Sequence, residues 1–121
     1  MSGESDTQPS SSQTQSKACC TTVPEISVDE LDDEVERFAA LANPTRYGAV
    51  RLLVAADDEV CACNLAPPLD VTQSAISHAL SQLHTVGLVK RRKDGRWRYY
   101  QATSIAEELI DRIDAHQEGD R

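Results

Sequence analysis

A mainly α-helical chain carrying one small β-hairpin is the fold class that the sequence predicts, on three observations. Apolar residues recur at helical spacing with start signals at Ser27, Asn43, Thr72 and Ser104. A helix with a small, polar outward stripe follows the Pro67-Pro68 break. Directly after it, Val89 to Arg92 and Arg96 to Gln101 flank Asp94-Gly95, a two-residue hairpin signal. Together these describe a winged helix-turn-helix, expected to work as a homodimer.

Residues 1 to 24 are rich in Ser, Thr and Gln and hold little that is apolar, the composition of a flexible arm. The folded domain is expected over residues 25 to 117, with a short tail over 118 to 121. Ser27 with Glu30 forms a capping-box pattern, and Ile26 with Leu31 a hydrophobic staple, so a first helix is predicted to about Ala42. Its apolar stripe holds Leu31, Val35, Phe38, Ala39 and Ala42, and its acids lie elsewhere. Asn43-Pro44 starts a second helix, which runs to about Ala56. A short third helix is predicted from Cys61 to about Ala66, ended by Pro67-Pro68, because proline lacks the amide donor. The turn of the helix-turn-helix falls at Leu69 to Val71, and Thr72 caps the fourth helix. The hairpin follows, with Trp97 and Tyr99 expected to hold it onto the domain. Ser104 with Glu107 opens the last helix through a second capping box.

Composition bounds the partners. Acids outnumber bases 20 to 12, for a net charge of −8. Yet Lys90, Arg91, Arg92, Lys93, Arg96 and Arg98 fall within nine residues that contain one acid, Asp94. A local basic patch on a negative chain can meet phosphate while the remainder repels it. The few lysines among many carboxylates suggest adaptation to high salt. No apolar run is long enough to span a bilayer, so a cytoplasmic protein without membrane partners is expected.

The fourth helix interleaves two stripes. Ile76, Leu80 and Leu83 face inward, and Ser74, Ser77, His78 and Ser81 face outward. With Thr72 and Gln73 at its start, this is the candidate reading helix, Gln73 being placed to pair with adenine. Arg91, Arg92, Lys93, Arg96 and Arg98 of the wing are the candidate phosphate or groove contacts. Leu31, Val35 and Phe38 of the first helix and Ile105, Leu109 and Ile113 of the last form the candidate dimer surface, symmetric pairing being suited to a palindromic site. The cysteines come as two close pairs, Cys19-Cys20 and Cys61-x-Cys63, which in a chain without secretion signals favours metal or redox chemistry. Residues two apart on an ideal helix point about 200° apart. Joint chelation by Cys61 and Cys63 therefore requires the third helix to distort at its start.

The segments Leu41-Ala42-Asn43-Pro44-Thr45-Arg46, Glu59-Val60-Cys61-Ala62-Cys63-Asn64-Leu65, Gln73-Ser74-Ala75-Ile76-Ser77-His78 and Leu88-Val89-Lys90-Arg91-Arg92-Lys93-Asp94-Gly95-Arg96 resemble the ArsR/SmtB family of winged-helix repressors, most of all its arsenic-responsive members. The resemblance implies a repressor that binds double-stranded operator DNA and is released when a soft ion occupies cysteine thiolates. It implies a metal site of Cys19, Cys20, Cys61 and Cys63, filled by arsenite or antimonite, with cadmium, lead or zinc on four thiolates as the alternative. Two departures stand out: Ala66 occupies a position where some arsenic repressors carry a third thiol, and Ala79 one where many members carry His. A thiol redox switch is the other alternative. No Cys-x5-Arg or glycine-rich phosphate loop is present, so neither an enzyme nor an organic substrate is expected. A metal-buffering protein would leave residues 72 to 100 without a task.

Overall fold

The computed structural model describes residues 21–119. Within it lie α1 (Asp32–Leu41), α2 (Pro44–Ala56), β1 (Val60–Cys61), α3 (Ala66–Leu69), α4 (Gln73–Thr85), β2 (Val89–Asp94), β3 (Trp97–Ala102) and α5 (Ser104–Gly119). The strands form one antiparallel sheet in the order β1-β3-β2, and α2, α4 and α5 enclose the core beside it. Leu53, Ile76, Leu80, Leu83, Leu88 and Val50 are fully buried, each worth about 1.5–3 kcal/mol by removal from water. Tyr100 and Ala102 bring the sheet onto this core, at 2% and 4% exposure.

Two helix starts follow their predicted chemistry. Asn43 is extended, and its Oδ1 accepts from Arg46 N at 3.0 Å ahead of Pro44. Thr72 Oγ1 accepts from Ala75 N at 3.0 Å and caps α4. Each satisfies one amide that the first helical turn leaves without a partner.

Four local expectations are corrected. At the first helix, Glu30 N donates to the backbone oxygen of Ser27 at 3.1 Å in a 3-10 turn over Asp29–Leu31, with no side-chain cap, and Ile26 is 66% exposed. The tighter i to i+3 bond meets the amide without the serine hydroxyl. Pro67 and Pro68 do not end a helix but sit inside the first turn of α3, where a missing amide costs nothing. Upstream, Cys61 is a strand residue and Ala62–Asn64 a 3-10 turn. In the hairpin, Asp94 pairs with Trp97, so Gly95-Arg96 form the turn, one residue later than expected. Gly95 has φ 65° whereas Arg96 is not left-handed, the type II′ pattern; a turn centred on Asp94-Gly95 would put Asp94 in that strained region. Finally, α5 already includes Ser104, the residue expected to cap it: Glu107 N donates to Thr103 O at 3.0 Å, and Thr103 Oγ1 donates to Gly87 O at 2.8 Å.

Arginines tie the helices together. Arg46 donates through Nε to Ala40 O at 2.7 Å and through Nη1 to Gln82 Oε1 at 2.8 Å, joining α1, α2 and α4. Arg37 Nε donates to Val86 O at 3.0 Å, and Arg51 Nη2 meets Asp114 Oδ1 at 2.8 Å between α2 and α5.

Substitutions at these points grade stability. Leu80→Ala is expected to cost about 2–5 kcal/mol through transfer and cavity terms, and Asn43→Ala about 1 kcal/mol through the lost cap. Urea unfolding monitored by circular dichroism checks both. A smaller loss for Leu80→Ala than for Asn43→Ala would contradict the core described here.

Candidate metal and nucleic-acid sites

Cys61 pairs with Tyr99 at the edge of the sheet, in extended conformation (φ −64°, ψ 135°). The chain then tightens into the 3-10 turn that carries Cys63. Because neither residue is α-helical, the divergence of an ideal helix does not apply, and the two sulfurs stand 2.8 Å apart. The distortion expected of a third helix is met by the absence of a helix there. The hydrogen bond shared with Cys61, aided by desolvation and by the charge of Cys61, raises the Cys63 pKa above the ordinary thiol value. Capture of a soft cation by the pair therefore expels a proton and strengthens as pH rises.

The pair suits a soft ion. With ion–sulfur bonds of about 2.3 Å, a tetrahedral ion holds two sulfurs about 3.8 Å apart and a pyramidal ion with near-right angles about 3.3 Å apart. Among the described residues, no three His, Cys, Asp or Glu side chains converge on one ion, so Cys61 and Cys63 supply two donors. Cys19 and Cys20 lie outside the described residues. Ala66, at the position of the third thiol, is packed into the core at 4% exposure.

The reading helix starts beside this turn. Gln73 Nε2 donates to the carbonyl of Ala62, between the two cysteines, at 3.4 Å. Ser74, Ser77, His78 and Ser81 form an exposed polar stripe, while Ile76, Leu80, Leu83 and Ala79 face the core. Arg91, Lys93, Arg96 and Arg98 are exposed on the wing. Arg92 differs from them, because its Nε lies 3.0 Å from each carboxylate oxygen of Glu59 and its guanidinium sits 4.8 Å over the Tyr99 ring. Tyr99 is thus held inside the wing, whereas Trp97 is 52% exposed at its tip and does not pack the hairpin onto the domain. Sequence reasoning missed Glu59 and Arg46. The signal for Glu59 was an acid immediately ahead of a strand in a chain whose next strand is basic.

The apolar stripe of α1 turns away from its own core: Val35 is 59% and Phe38 63% exposed, and Leu31 is half-buried. Along α5, Ala106 and Ile110 are buried, Leu109 is half-buried, and Ile105 and Ile113 are each 38% exposed.

A family model described as "Bacterial regulatory protein, arsR family" matches residues 43–91. A Halobacterium salinarum protein provisionally named arsenical resistance operon repressor ArsR2 is 43% identical over 99 residues, covering 82% of this chain and 83% of that protein. The chain belongs to the arsR family. Among solved structures, a possible transcriptional regulator for arsenical resistance is 34% identical with a TM-score of 0.55, covering 67% of this chain and 82% of that one. NolR from Sinorhizobium fredii is 26% identical with a TM-score of 0.65, covering 77% and 95%. Membership in this family makes the chain a regulatory protein of winged helix-turn-helix fold rather than an enzyme. Among the described residues, no helix of this arsR-family chain is long and apolar enough to cross a membrane.

The thiol contact has a direct chemical signature. In a Cys19→Ser/Cys20→Ser background, adding Cys61→Ala is expected to lower the Cys63 pKa toward the ordinary thiol value. Alkylation of Cys63 then proceeds faster at neutral pH. The pH profile of the iodoacetamide rate checks this, and an unchanged midpoint would mean that the sulfurs are not in contact.

Proposed function

We propose that the protein is a transcriptional repressor that binds operator DNA as a homodimer and leaves it when arsenite or antimonite occupies cysteine thiolates. The observation that carries this reading is the Cys61–Cys63 pair at 2.8 Å, on a turn whose central carbonyl is held by the first residue of the reading helix. Separation of the two sulfurs moves that carbonyl, and the start of α4 with it. About 3 kcal/mol of coupling per site is enough to change operator affinity more than a hundredfold.

Cys19 and Cys20 of the arm supply the third thiolate, from the same chain or from its partner. A four-thiolate site for cadmium, lead or zinc is the second reading, favoured by the total of four cysteines in two pairs. A disulfide-based switch is the third, drawn from the same proximity of thiols.

Operator contact is assigned to Ser74, Ser77, His78 and Ser81 at base edges, and to Arg91, Lys93, Arg96 and Arg98 at phosphates. Thr72 and Gln73 orient the helix start, since both side chains already have intramolecular partners. The dimer forms through the outward faces of α1 and α5: Leu31, Val35 and Phe38 with Ile105, Leu109 and Ile113. Their exposed apolar area in a single chain supports that assignment.

Two measurements follow. Operator anisotropy under reducing conditions, titrated separately with arsenite, antimonite, cadmium and zinc, is expected to show release by the metalloids that disappears in Cys19→Ser/Cys20→Ser. Release by cadmium alone moves the assignment to four thiolates, and indifference to every ion removes metal sensing. Arg96→Ala and Arg98→Ala are each expected to weaken binding across sequences and to reduce the salt slope by about 1. An unchanged slope would take those residues off the phosphates.

A further inference from the structure

We propose that Glu59 is a positioning residue that carries the state of the thiol pair into the wing, by strapping Arg92 across the central strand of the sheet. The inference rests on the reading of Cys61 and Cys63 as the ion site and extends its output beyond the reading helix.

The register places the parts. Cys61 is paired with Tyr99, and Tyr99 with Arg92, so the three side chains form one row on the same face of the sheet. Glu59 stands two residues before Cys61, just outside β1. Both of its carboxylate oxygens lie 3.0 Å from Arg92 Nε, and Oε1 also accepts from Nη2 at 2.9 Å. The strap therefore joins the lead-in to β1 with β2, over the Tyr99 ring that lies beneath the guanidinium. Arg92 is thereby neutralised by an internal partner, unlike the exposed cations on either side of it.

Mechanical consequences follow from this row. Opening the sulfurs from 2.8 Å displaces Cys61, and with it the strand edge that Glu59 precedes. The strap passes that displacement to Arg92, the residue between Arg91 and Lys93, and along the hairpin to Gly95-Arg96. Gln73 links the same turn to α4, so a single change at the thiols reaches both proposed DNA-facing elements at once. The pair is partly solvated, with side-chain exposures of 52% for Arg92 and 33% for Glu59, so its share of the coupling is a few-fold factor rather than the whole.

The chain contains one tryptophan, Trp97, at the wing tip, which makes the wing optically addressable. The experiment uses the full-length reduced protein and the ion that releases it, arsenite first and cadmium second. Trp97 emission, thiolate–ion absorption and operator affinity are followed together. In the wild type, emission is expected to change in step with thiolate absorption. Glu59→Gln is expected to keep the absorption titration, lose most of the emission response, and reduce the ratio of ion-free to ion-loaded operator affinity by about fivefold. The charge-swapped double variant, Glu59→Arg with Arg92→Glu, is expected to recover both the emission response and the ratio. A Glu59→Gln protein with the wild-type emission response and ratio overturns the proposal, and so does a swap that recovers neither. A wild type whose operator binding ignores both ions overturns the repressor reading itself, a result distinct from either of these.

Discussion

Antiparallel pairing of Val60 and Cys61 with Tyr100 and Tyr99 is the constraint from which the placement of the other working parts follows. Side chains alternate across a strand, so this register directs Val60 toward the face where Tyr100 is buried and Cys61 toward the opposite, outer face. A slip of one residue would drive the thiol into the core and expose the valine. Val60 opposes the slip because its side chain packs against the buried core. With Cys61 held at the outer face, the tight turn that follows brings Cys63 back beside it. The turn also presents the Ala62 carbonyl to Gln73.

Much of this was legible in the chain, and what was not has physical causes. The starts of α2 and α4 were readable because Asn43-Pro44 and Thr72 use side chains whose capping geometry is local. The inward stripe of Ile76, Leu80 and Leu83 was readable because a long helix repeats its signal. Ser27 misled because a 3-10 turn needs no side-chain cap, and Pro67-Pro68 misled because proline marks a helix start as readily as a helix end. Asp94-Gly95 named the right turn but not its register, which was decided where Tyr100 and Ala102 meet the core. The thiol pair was visible as spacing alone. Its strand, its partner Tyr99 and the Glu59–Arg92 bridge are contacts between distant parts of the chain, which periodicity cannot express. The proposed arm ligands Cys19 and Cys20 stay at the level of sequence.

Charge is distributed with the same economy. Asp29, Glu30, Asp32 and Asp33 crowd the start of the first helix, where the positive end of the helix dipole favours them. Six of the twelve basic residues lie instead on the hairpin, with Arg92 neutralised by Glu59 and its neighbours exposed. A polyanion is therefore attracted to one edge of the molecule and repelled from much of the remainder, which orients an encounter before any contact is made.

The short helix α3 begins Ala66-Pro67-Pro68, so two of its first amides are absent. Regular helix therefore cannot be propagated backward from it into the cysteine-bearing turn. That turn is held by one local backbone bond, Leu65 N to Ala62 O at 3.1 Å, between strand β1 on one side and the short helix α3 on the other. Residues 61 to 64 thus form an exchangeable cassette. Under the proposed ion-sensing role, exchange of the donor atoms there changes which ion is answered to, while the helices that carry the core keep their own start signals.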